Sequence, residues 1–96
     1  MEGKVYVMYG EAQRGSDDLF FKGFIEGSAD IATIKKILLT GFSGLYSEDG
    51  VDEYIEEWID EEDGVFCFSD DMGGYVYIGE RKEEVLDVWM RYTSQI

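Results

Sequence analysis

The chain has 96 residues, 22 of them Asp or Glu against 8 Lys or Arg, with no histidine, one cysteine and a formal charge of −14 at pH 7. That length fits one domain, residues 1–96, and 45% hydrophobic with 16% aromatic content supplies a packed core, which excludes a disordered acidic tail. The same charge repels DNA, RNA and anionic lipid and attracts basic proteins, so direct nucleic-acid binding is not expected.

Residues 4–9 and 19–26 are rich in β-branched and aromatic residues around the turn-like stretch 10–18, and predict a first hairpin with a long loop. Phe20 and Phe21 are adjacent, so strand alternation exposes one of them unless both sheet faces are covered, and an exposed ring beside acidic residues is a candidate partner contact. Ser28 or Asp30 caps a helix carrying Ile31, Ile34, Ile37 and Leu38 at helical spacing, and Gly41 to Gly44 ends it. That stretch lacks the further glycine or lysine of a phosphate-binding loop.

After the turn Ser47-Glu48-Asp49-Gly50, the apolar residues Val51, Tyr54, Ile55, Trp58 and Ile59 fall at i, i+3, i+4, i+7 and i+8. This predicts a second helix over 51–63, with Gly64 as its stop and Tyr54 and Trp58 anchoring it to the core. Residues 65–69 and 75–79 flank Asp70-Asp71-Met72-Gly73-Gly74 and predict a second hairpin. A last helix over 82–94 would bury Val85, Leu86, Trp89 and Tyr92. The expected class is α+β: an antiparallel sheet of about four strands in two hairpins, ordered ββααββα, with three helices mainly on one face.

Charge is distributed regionally. Residues 1–36 carry −1 and residues 81–96 carry 0, which leaves −13 on residues 37–80, a stretch without a single base. A salt-adapted surface would spread its acids over every element. Here Asp52-Glu53, Glu56-Glu57 and Asp60-Glu61 recur every four residues, so a helix over 51–63 carries two ridges of like charge, each i,i+4 pair costing about 0.2–0.5 kcal/mol. Asp60, Glu61, Glu62 and Asp63 would also crowd its C-terminal end, where the dipole disfavours anions by roughly 0.3–1 kcal/mol each. At about 1.5 Å rise per residue the helix offers one negative charge per roughly 2.5 Å, near the roughly 1.7 Å of duplex DNA. The candidate partner-binding residues are therefore the helical acids Asp52, Glu53, Glu56, Glu57, Asp60, Glu61, Glu62 and Asp63. Glu48 and Asp49 extend them on one side, and Asp70 and Asp71 on the other.

Other chemistry finds little support. Without histidine there is no Ser-His or Cys-His nucleophile and no common general base, and no enzyme activity or cofactor is expected. Calcium loops fail because the ligand positions five residues before Gly50, Gly64 and Gly73 are Leu45, Ile59 and Phe68, so no metal site is assigned. Glu80-Arg81-Lys82, with Asp63 or Asp70, has the outline of half a metal-dependent nuclease site and reads better as a charged strand-to-helix junction. Cys67, between Phe66 and Phe68, reads as a buried, inert thiol in a reducing compartment. No stretch has the length of a signal h-region or a membrane span, and a cytoplasmic location is expected.

In size and charge the chain resembles small acidic phage inhibitors such as anti-CRISPR and anti-restriction proteins. The resemblance implies a nucleic-acid mimic that occupies the basic groove of a nuclease or a CRISPR or restriction effector in the host cytoplasm. An immunity protein or antitoxin that neutralises a basic nuclease toxin fits the same acids, and a solvated module without an inhibitory role is the remaining reading.

Overall fold

The computed structural model describes residues 3–13, 16–42, 44–69 and 73–93. Its elements are β1 (Lys4–Gln13), β2 (Ser16–Glu26), α1 (Ile31–Gly41), α2 (Val51–Trp58), β3 (Ile59–Glu62), β4 (Val65–Ser69), β5 (Gly74–Gly79) and α3 (Lys82–Thr93). The class is α+β, with a sheet of five strands in the order β2-β1-β5-β4-β3, every neighbouring pair antiparallel. The chain order is ββααβββα, which differs from the expected ββααββα by the added strand β3.

Side-chain alternation in β1 separates two cores. Val5 and Val7 face Ile34, Ile37 and Leu38 of α1 and Val51 and Ile55 of α2. Tyr6 and Met8 point the other way, to Val85 and Val88 of α3. The helices are thus split, α1 and α2 on one face and α3 on the other, where sequence spacing had placed them mainly on one. This double cover explains the central strand β5, Gly74-Tyr-Val-Tyr-Ile-Gly79, which is buried at every position. Gly79 makes the docking of α3 possible, because a Cβ there would lie 2.9 Å from Val85 Cγ2.

The acidic segment departs most from its sequence reading. The helix stops at Trp58, Ile59 turns extended (φ −79, ψ 141), and residues 59–62 pair with β4 from Ile59↔Phe68 to Glu62↔Val65. The periodicity misleads because Ile59 meets the core under either geometry, at i+8 of a helix or opposite Phe68 on the α2 face of a strand. The decisive signal is Asp63-Gly64. Both residues have positive φ, 52 and 81, as a two-residue type I′ hairpin turn requires, and Asp-Gly is among its preferred sequences. Gly64 therefore closes a hairpin and does not stop a helix. Placing residues 60–63 outside the helix also removes their conflict with its dipole.

The first hairpin is longer than expected, its strands running through much of the stretch read as loop. A bulge after Tyr9 leaves Phe20 without an opposite residue, since Tyr9 faces Phe21 and Gly10 faces Leu19. Phe21 stacks on Tyr9 at 5.6 Å, whereas Phe20 stays 48% exposed. Asp30 is the cap of α1, its carboxylate accepting from Thr33 N at 3.0 Å.

Candidate partner-binding surface

The segment before α2 is fixed by aromatic packing. Tyr46 is buried and meets Phe42, Tyr54 and Phe68 edge-on at centroid distances of 5.4, 6.1 and 6.0 Å. Ser47 O accepts from Gly50 N and Val51 N, which closes the Glu48-Asp49 turn and starts the helix. Val51 and Ile55 then enter the core, and Asp52, Glu53, Glu56 and Glu57 are left exposed.

β3 continues the acidic surface in another form. Glu61 lies opposite Phe66 on the α2 face, while Asp60 and Glu62 lie opposite Cys67 and Val65 on the α3 face. Because β3 is an edge strand, the acids wrap around one rim of the sheet and do not form a straight stripe. The spacing of one charge per roughly 2.5 Å along a single helix axis is therefore lost.

Cations from distant elements divide the candidate residues into two groups. Lys35 of α1 pairs with Asp52 at 3.2 Å, relieving one acid of the helix. Arg91 of α3 pairs with Glu62 at 2.9 Å and Asp63 at 2.8 Å, and with Asp87 in its own helix at 3.2 Å. Glu62 and Asp63 thus tie the β3–β4 turn to α3, a structural task. Among the described residues, Glu48, Asp49, Glu53, Glu56, Glu57, Asp60 and Glu61 are in no ion pair. Asp70 and Asp71 lie outside the described residues.

Tyr54 and Trp58 are half-buried and serve two surfaces. They pack on the core and, with Gly50, Glu53 and Glu57, line a shallow hollow of about 320 Å³ on the outer side of α2. Aromatic faces between two carboxylates one helical turn apart suit a guanidinium or ammonium group. Sequence spacing assigned both rings to the core alone, since period analysis does not show how far a large ring extends beyond it.

The remaining chemical candidates have other surroundings. Lys82 sits 5.9 Å from the centroid of the Tyr6 ring, and the Asp63 carboxylate is held by Arg91. Among the described residues, no group of three or more His, Cys, Asp or Glu side chains is arranged to hold a metal ion. Cys67 is 5% exposed, and burial, reinforced by Asp60 and Glu62 against the opposing effect of Arg91, pushes its thiol up to about 12. Phe20 belongs to β2, at the sheet edge opposite β3, and so does not adjoin the β3 acids. No helix among the described residues is long and apolar enough to cross a membrane.

No protein-family model, no curated protein and no solved structure matches the chain.

Proposed function

We propose that the protein is an inhibitory interaction module whose acidic rim, from the Glu48-Asp49 turn through α2 to Glu61, occupies the basic groove of a nucleic-acid-handling protein. One observation carries this reading. Among the described residues, seven exposed carboxylates in no ion pair (Glu48, Asp49, Glu53, Glu56, Glu57, Asp60 and Glu61) fall within residues 48–61, a stretch without a base, although Lys35 and Arg91 neutralise acids beside them. Solvation alone needs no such concentration, and the i,i+4 repulsions Asp52–Glu56 and Glu53–Glu57 cost stability. The rim replaces the straight helical ladder as the mimic of phosphate charge. The hollow between Glu53 and Glu57 gives a partner arginine or lysine an aromatic floor.

Binding of this kind is fast, salt-sensitive and competitive with nucleic acid. The test is capture of partners from the native host at low salt, elution at high salt, identification by mass spectrometry, and competition of each partner with duplex DNA and RNA. The expected result is a basic DNA- or RNA-handling protein displaced by nucleic acid. Joint replacement of Glu53, Glu56, Glu57, Asp60 and Glu61 by Lys should abolish binding. A folded variant that binds as tightly as the unaltered chain refutes the proposal.

A further inference from the structure

The two edges of the sheet are built differently. β3 is four residues long and acidic, two features that discourage pairing with another strand. β2 has 11 residues, no proline, and exposed Leu19, Phe20 and Phe24 at 41%, 48% and 49%. Gly27 N donates to Gly3 O at 2.9 Å, so ladder alternation turns the odd-numbered residues of the following pairs toward β1. The backbone N–H and C=O groups of Lys22, Phe24 and Glu26 consequently point away from the sheet.

We infer that β2 pairs antiparallel with β2 of a second copy about a two-fold axis through Phe24, joining two five-stranded sheets into one. The side chains select this register. On the α3 face, which carries the exposed side chains of residues 22, 24 and 26, Lys22 falls opposite Glu26 of the second copy on both sides of the axis and Phe24 meets Phe24. On the α1 face, Gly23 falls opposite Ile25 of the second copy. The Phe21 ring lies over Gly23, 3.3 Å from where a Cβ would stand, and offers that isoleucine an apolar surface. Phe21 and Ile25 also line the open cleft of about 720 Å³ that α1 leaves over β2. Centring the axis on Lys22 sets lysine against lysine, and centring it on Gly23 or Ile25 sets a charge against Phe24. Residues 19–28 have no net charge, so the acidic rim at the far edge does not oppose local contact. The inference is independent of what that rim binds.

Sedimentation equilibrium of the full chain from micromolar to millimolar concentration in about 150 mM salt, a Debye length of roughly 8 Å, tests the pairing. A monomer–dimer equilibrium is expected. Lys22→Glu and Glu26→Lys should each raise the dissociation constant at least tenfold, and the double exchange should return it to within about threefold of the unaltered chain. Hydrogen exchange on the unaltered protein is the mutation-free measurement, with the Lys22, Phe24 and Glu26 amides protected at dimer concentrations and exposed on dilution. A monomer at all concentrations, a dimer indifferent to both single reversals or not rescued by the exchange, or unchanged exchange at those amides overturns the inference.

Discussion

The Cys67 thiol lies on the α3 face of the sheet with Asp60 opposite it, and its ionisation is opposed first by burial and then by Asp60 and Glu62. Its folded value of about 12 stands above the ordinary 9.0, so the folded state retains a proton that the unfolded chain releases. The associated stability is fully present below about pH 9 and declines as pH rises toward about 12, by about 1.4 kcal/mol per pH unit. Urea unfolding at pH 8 and 10.5 should show the unaltered protein losing about 2 kcal/mol relative to Cys67→Ala over that interval. An equal pH response in both proteins would show that the thiol ionises freely. A thiol-specific alkylating reagent should label Cys67 at pH 7 only upon unfolding. Arg91, half-exposed on α3, joins the exposed or half-exposed carboxylates of Glu62, Asp63 and Asp87. Arg91→Ala should lower the urea midpoint at low salt, and the difference should shrink as salt screens the network.

At the scale of elements, the 59–64 segment yields predictions whose sign depends on its geometry. Glu61 is an exposed position on an edge strand, so Glu61→Thr should stabilise by up to about 1 kcal/mol, whereas on a helix the same change would be destabilising. Denaturant melts measure the sign. Gly64, at φ +81, lies in a conformation that side chains resist, and Gly64→Ala should cost about 1 kcal/mol or more although nothing lies within 4 Å of its Cβ position. Most of the other elements were legible in the sequence. The apolar spacing of 31, 34, 37 and 38 marked α1, and that of 85, 86, 89 and 92 marked α3. The 51–63 stretch was not, because Ile59 satisfies two periods at once and Gly64, at the end of a continuous helical face, reads equally well as a helix stop.

For the molecule as a whole, the proposed function sets the stability of the acidic rim against binding. Glu56→Lys and Glu57→Lys each remove a like-charge i,i+4 contact, with Asp52 and Glu53, so the pair of changes should stabilise by roughly 0.5–1 kcal/mol at low ionic strength while weakening partner binding at least tenfold. Thermal melts and a salt-dependent binding assay on one preparation distinguish this outcome from a rim that only solvates the fold, for which stabilisation would come without loss of a partner. Added salt should raise the melting temperature of the unaltered chain, since its charge of −14 is screened. The rim was half legible. Composition located the acids between residues 48 and 71, but the contributions of Lys35 and Arg91, 17 residues from Asp52 and 29 from Glu62, were not apparent from sequence.

The sequence by itself determined the α+β class, the α1 and α3 faces, the burial of Cys67 and the regional confinement of charge, because these depend on local period and composition. Tertiary structure decided that helices cover both sheet faces and which of the described carboxylates stay out of ion pairs, and pairing with β4 settled the division of the acidic stretch between a helix and an edge strand, signalled locally by Asp63-Gly64. Those outcomes depend on strand pairing and on cations brought in from distant elements, where long-range contacts choose between local conformations that the residues themselves permit equally.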